Sequence, residues 1–230
     1  MKPLLLLHGA LGSDAQLAAL KEALTNKGFF VLSMNFSGHA GKPFQNSFGI
    51  EAFADDVLRF LDKNNIDSVD VFGYSMGGYV ALFLANMHPS RVGRIVTLGT
   101  KFDWSVESAA AEVKKLNPEK ILEKVPAFAR ILEGRHAPLD WKLLMHRTAD
   151  MMIALGENQI LDERKLSSIE SQVCVMLGDL DDMADREFSE RVARVLPNGS
   201  FTLLKDTPHP IEKVNVLVLT DLIANFLKKS

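Results

Sequence analysis

Short, unbroken apolar runs recur along this chain and alternate with amphipathic stretches, and that alternation restricts it to few folds. Leu4–Leu7 is four leucines in a row, ended by His8-Gly9. A run without polar alternation suits a strand buried on both faces, as in a parallel sheet. Further runs of this kind lie at Phe29–Met34, Val69–Gly73, Ile95–Leu98, Val173–Leu177 and Phe201–Leu204. Between them, Asp14–Asn26 carries Leu17, Leu20 and Leu24 at helical spacing, and Gly28 closes it. Ile50–Asn64 sets Phe53, Val57, Phe60 and Leu61 on one face. Met76–Met87 (stopped by Pro89), Phe188–Leu196 and Val214–Lys228 complete the expected helices. Strands alternating with helices predict an α/β fold, a mostly parallel sheet with helices on both faces. Residues 101–171 break the pattern. They have helical periodicity and no convincing strand, and read as a helical insertion after the fourth strand.

At 230 residues the chain is long enough for one sizeable core. Its 26 Lys and Arg against 29 Asp and Glu leave a formal net charge of −3, with no basic footprint for nucleic acid. No polybasic patch and no apolar stretch of about 18 residues points to a membrane. Four N-terminal leucines are too short for a signal-peptide core. The single cysteine, Cys174, allows no intrachain disulfide and reads as a small buried hydrophobe. The expectation is a cytoplasmic protein whose partner is a small molecule, with neither nucleic acid nor membrane. No Cys/His cluster has ligand spacing, so no metal and no cofactor is expected. The sequence sets no oligomeric state.

The most specific feature is Gly73-Tyr74-Ser75-Met76-Gly77-Gly78, set between a strand and a helix. A sharp strand-to-helix turn needs an unusual backbone angle at its centre, and small residues two before and two after. Such a turn lifts the Ser75 hydroxyl above the sheet and aims helix N–H groups at developing negative charge. A serine is a poor nucleophile at neutral pH unless a base takes its proton.

In open α/β sheets reactive groups gather where strands end, so the partners are sought there. Of six histidines, His209 alone follows a strand, sits on a loop stiffened by Pro208 and Pro210, and precedes a docking helix. His8 belongs to a loop whose backbone matters more, and His39 lies in a loop that borders the pocket. His88, before a proline at a helix end, reads as a surface or capping residue, while His136 and His146 read as surface or pocket lining. For the orienting acid, Asp179, Asp181, Asp182 and Asp185 crowd one loop after the fifth strand, and Asp103 follows the fourth. Spacing does not choose among them, nor does it require an acid. An oxyanion would be met by backbone N–H groups of Met76 and of Ala10, in the loop after the first strand.

Four segments, LLLLHGALGS, GYSMGGYVAL, MLGDLDDMA and TPHPIEKV, occur in the order that an α/β-hydrolase would have them. The chain resembles the single-domain, capped members of that superfamily over nearly its whole length. The order Ser, Asp, His is the family's own. By this resemblance Asp181, in Gly178-Asp179-Leu180-Asp181, is the acid, with Asp182 as the next candidate. The resemblance also makes NFSGHAGK the glycine-rich loop after the second strand. It divides the chain into a core of residues 1–100 and 172–230 and a cap of residues 101–171. The two-stranded hairpin that often opens such folds is trimmed here.

The expected function is that of a serine esterase acting on a small to medium ester through Ser75, His209 and Asp181. The same triad serves carbon–carbon bond hydrolases, thioesterases, lactonases, cofactor-free haloperoxidases and elimination enzymes of quinone biosynthesis. A small-molecule receptor with vestigial activity is the rival from another class. Phe102, Trp104, Phe128, Trp141, Met145, Met151 and Met152 of the insertion, with Phe44 and Phe48 before it, are the expected pocket residues, together with Tyr74, His8 and His39.

Overall fold

A computed structural model describes residues 2–228. Its single sheet contains β1 (Leu4–Leu7), β2 (Val31–Met34), β3 (Val69–Tyr74), β4 (Val92–Leu98), β5 (Val173–Leu180) and β6 (Gly199–Pro208). The strand order is β2-β1-β3-β4-β5-β6, and every neighbouring pair is parallel. The helices are α1 (Ala18–Asn26), α2 (Ile50–Lys63), α3 (Met76–Met87), α4 (Val106–Val113), α5 (Pro118–Lys124), α6 (Pro126–His136), α7 (Trp141–Glu157), α8 (Glu163–Leu166), α9 (Arg186–Val195) and α10 (Val216–Lys228).

Side chains alternate along each strand and so feed two cores. Leu5, Leu7, Val69, Val71, Ile95, Val173 and Val175 pack with α2, α3 and α9 on one face. Leu4, Leu6, Phe72, Val96, Leu98, Cys174 and Met176 pack with α1 and α10 on the other. The four leucines of β1 are at most 1% exposed, which explains their lack of alternation. Each such buried leucine contributes about 2 kcal/mol of transfer free energy. Helix α3 is buried along almost its whole length, because the sheet, α2 and the α8 region enclose it.

The strands expected from sequence are all present, with shifted ends. β4 begins at Val92, ahead of Ile95, where it pairs with Val69. β6 runs to Pro208, beyond Leu204, because it follows β5 past an irregularity and pairs again at Leu180–Pro208. That extension sets residue 181 beside residue 209 at the ends of adjacent strands. A proline is tolerated there because β6 is an edge strand and its last residue need not donate. Residues 101–171 hold α4–α8 and, among the described residues, no strand. No helix among the described residues is long and apolar enough to cross a membrane.

Candidate active site

Ser75 sits at the carboxyl end of β3, a central strand, on a turn into α3. Its backbone is at φ 52°, ψ −119°, a region a non-glycine residue enters at a cost of about 1–3 kcal/mol. Hydrogen bonds to its backbone hold it there, Gly78 N–H donating to Ser75 O at 3.0 Å among them. Ser75 N–H donates to Leu98 O at 2.8 Å, and Thr100 Oγ1 donates to Ser75 O at 2.9 Å. Gly77 is required by close approach. A Cβ there would lie 2.5 Å from Leu7 O and 2.8 Å from His8 O, so α3 starts hard against the end of β1.

His209 and Asp181 face each other across β5 and β6, with Nδ1 2.8 Å from Oδ2 and 3.0 Å from Oδ1. The Asp181 side chain is 2% exposed and that of His209 9%. Asp181 Oδ1 also accepts Met183 N–H and Ala184 N–H, both at 2.9 Å, so the carboxylate is held before it meets the imidazole. From the other side, the Tyr74 hydroxyl donates to His209 O at 3.0 Å. Burial pushes the Tyr74 pKa up, which keeps the phenol a donor. Gly99 completes the seat. With φ +62°, it presents no Cβ, which would otherwise stand 2.9 Å from Asp181 Oδ2 and 3.2 Å from His209 Nδ1.

Three of the remaining acidic candidates have other partners, and the fourth is exposed. Asp179 accepts Thr207 N–H at 3.1 Å, and Asp185 caps α9 by accepting Phe188 N–H at 2.9 Å. Asp103 pairs with Lys101 at 2.8 Å, and Asp182 is exposed. Asp181 is the one of the five that meets a histidine.

Ser75 and His209 line one cavity of about 490 Å³, open space at its mouth included. No hydrogen bond joins them among the described residues. Such contacts are often loose without substrate and tighten when it binds. Ala10 and Met76 line the same cavity. Neither amide donates to any described backbone or side-chain acceptor, so both N–H groups are free. The rest of the wall is mostly apolar, with Tyr79, Trp104, Met151, Met152 and Leu155 prominent, and its charges are Lys101 and Glu112. Lys101 is paired to Asp103, and Glu112 to Lys115 at 3.0 Å.

Of the pocket residues expected from sequence, Trp104, Met151 and Met152 line this cavity, and Phe44, Phe48, Phe102, Phe128, Trp141, Met145, Tyr74, His8 and His39 do not. Phe102 is buried near Tyr79, with ring centroids 6.4 Å apart, on the sheet side. Trp141 belongs to a separate cluster with Ala129, Leu132 and Met145. Tyr74 lies beneath the His209 loop. His8 and His39 are fully buried behind the site, with ring centroids 5.0 Å apart. His136 joins them, 5.8 Å from His39, and is neither surface nor pocket lining.

The hydrogen bonds of His8 and His136 fix those two rings as neutral. His8 Nδ1–H donates to Gly9 O at 2.8 Å, and Nε2 accepts Phe36 N–H at 3.2 Å. His136 Nε2–H donates to Leu11 O at 3.0 Å, and Nδ1 accepts Ala40 N–H at 3.0 Å. His39 Nδ1–H donates to Ser37 O at 3.1 Å, and its Nε2 has no partner among the described residues. Burial lowers the pKa of His8 and of His136 from 6.5 to about 4, and that of His39 well below 6.5.

Between pH 6.5 and 4 the unfolded chain therefore binds protons that the folded chain refuses. Stability is full above pH 6.5 and falls as the pH drops through this window, by about 3 kcal/mol for His8 alone once pH 4 is reached. Thermal unfolding should show the midpoint falling steadily from pH 7 to 4.5. A flat midpoint over that range would contradict the neutral, buried assignment.

The model of the alpha/beta hydrolase fold family matches residues 2–130, and the chain belongs to that family. It is 35% identical over 97 residues to an sn-1-specific diacylglycerol lipase of Xenopus tropicalis, a match covering 42% of this chain and 30% of the frog protein. It is 37% identical over 110 residues to a pimeloyl-acyl-carrier-protein methyl ester esterase of Aromatoleum aromaticum, covering 47% of this chain and 42% of that one. These matches span less than half of either relative. Among solved structures, an enol-lactonase from Burkholderia xenovorans LB400 superposes with a TM-score of 0.77 at 20% identity, covering 100% of this chain and 92% of that one. A thermophilic esterase from Thermogutta terrifontis does so at 0.78 and 20%, covering 99% and 90%. At such identities the likeness is one of fold.

Proposed function

We propose that this protein is a serine hydrolase that cleaves a small to medium carboxylic ester through an acyl-enzyme. The observation that carries this reading is the Asp181–His209 pair, 2.8 Å apart, whose histidine opens onto the cavity that holds the strained Ser75. In the proposed cycle Ser75 Oγ attacks the acyl carbon while His209 Nε2 takes its proton. The carbonyl oxygen becomes an oxyanion and receives the N–H groups of Ala10 and Met76, each worth about 3 kcal/mol of barrier. Collapse breaks the bond to the alcohol, which leaves with the proton from His209. Water, deprotonated by His209, then attacks the acyl carbon and releases the acid and Ser75. Asp181 holds the Nδ1–H tautomer and stabilises the imidazolium. The cycle uses no metal and no cofactor, and its only partner is the small-molecule substrate.

Residues 101–171 serve in this reading as a cap on a core of residues 1–100 and 172–230. Trp104, Met151, Met152 and Leu155 from the cap line the cavity and favour an apolar acyl group. The names of the two similar proteins, a lipase and a methyl ester esterase, support an ester as the bond cleaved. The test is a series of p-nitrophenyl esters from acetate to octanoate. Turnover with an optimum inside that series is expected. Folded protein that cleaves none of them, or that cleaves the corresponding thioesters far faster, would overturn the ester assignment.

A further inference from the structure

Leu11 holds a conformation that L side chains disfavour, with φ +55°. It directly follows Ala10, in the turn that Gly12 N–H closes on Gly9 O at 3.1 Å. Contacts from the inserted helices hold it there. Its side chain packs against the cluster of Leu132, Trp141 and Met145 from α6 and α7. Its carbonyl accepts Arg135 Nη1 at 2.9 Å and His136 Nε2 at 3.0 Å. Both donors lie in the last turn of α6. The His136 ring is fully buried and is oriented from its far side by the Ala40 N–H. Arg135 Nη2 also stands 3.5 Å from Glu212, three residues beyond His209.

We propose that Arg135 and His136 are positioning residues that clasp the Leu11 carbonyl from α6 and so fix the Ala10 amide for the oxyanion. The proposal rests on the serine-hydrolase reading above. Neither residue lines the cavity, so neither touches substrate. If Leu11 relaxed out of the left-handed region, the turn carrying Ala10 would move with it. Ground-state binding to the apolar wall would stay, and stabilisation of the tetrahedral species would be lost. The inserted helices would thereby contribute to the chemical step as well as to the shape of the pocket.

Two substitutions at one position separate this role from simple packing. His136→Asn keeps an acceptor near Nδ1 for Ala40 and loses the donor to Leu11. His136→Gln keeps a donor near Nε2 for Leu11 and loses the acceptor. The clasp predicts that His136→Asn lowers kcat about tenfold with KM within about twofold, while His136→Gln stays within about twofold of wild type in both. Arg135→Met, which leaves the buried ring in place, should lower kcat about fivefold. Affinity for a boronic acid that forms a tetrahedral adduct on Ser75 should fall in the same proportion as kcat. Equal losses in the Asn and Gln variants, a loss carried by KM, or full kcat in Arg135→Met would overturn the clasp alone. Wild type that forms no boronate adduct and hydrolyses no ester would overturn the serine-hydrolase reading and the clasp together.

Discussion

Ser75→Ala is expected to lower kcat on the best ester by on the order of 10⁴ to 10⁶-fold while the protein stays folded. The size follows from what the substitution removes. Without Oγ no acyl-enzyme forms, and His209 has no proton to take. What remains is the free amides of Ala10 and Met76 and the apolar wall, which still bind substrate and still favour a tetrahedral oxyanion. Some acceleration by bound water can survive on that basis, so the activity should be very low rather than zero. Stability should change little. Alanine at Ser75 retains the Cβ, and the hydrogen bonds that hold the turn run through backbone N–H and C=O, to Leu98 and from Thr100.

Asp181→Asn should lower kcat by about 10⁴-fold, and Asp182→Asn by less than about twofold. An amide at position 181 can offer an N–H where the carboxylate offered only lone pairs. His209 would then present Nδ1 as acceptor and carry its proton on Nε2, the atom that must receive the Ser75 proton. The neighbouring amides of Met183 and Ala184 favour this rotamer, with the amide oxygen toward them at Oδ1. That leaves the NH₂ group facing the histidine and fixes the wrong tautomer. Asp182 is exposed and meets no histidine, so its substitution tests the surroundings without touching the pair. Near-equal losses at 181 and 182 would remove Asp181 from the proposed cycle. The comparison should be made at equal fraction folded, since Asp181 also organises the loop before α9.

Much of the frame was readable in the sequence, and the reason is local. Continuous apolar runs such as Leu4–Leu7 and Val173–Leu177 can hardly be anything but doubly covered strands, and the elbow glycines announce a turn that only small residues permit. His209 stood out because two prolines and a following helix mark its loop. Asp181 did not stand out by spacing. Four carboxylates share its loop, and what separates them is which side chain turns inward, a property of β5 and β6 pairing past Gly178. The pocket was the least legible part. Aromatic residues at helical spacing mark a buried face without saying what covers it, so Phe102 and Trp141 joined packing clusters and Trp104 lined the cavity.

Two contributors left only faint signals. Gly99 is a single glycine after β4, and its need is visible only when Asp181 and His209 are built against it. A glycine directly after the strand beside the elbow strand was the available clue. Arg135 and His136 act on Leu11 across more than a hundred residues of chain. No periodicity reports such a contact, and His136 reads as a surface or pocket residue from its place in the inserted region alone.

The central claim is that Ser75 is the nucleophile. The most direct measurement is ester hydrolysis by wild type and Ser75→Ala, purified side by side, with the reactive serine counted by mass after an organophosphonate. The account predicts one adduct per wild-type chain, located on Ser75, loss of ester turnover in step with its formation, and in Ser75→Ala no adduct and turnover lower by on the order of 10⁴-fold or more. Undiminished turnover in a folded Ser75→Ala protein, or an adduct on another residue that abolishes activity, would contradict it.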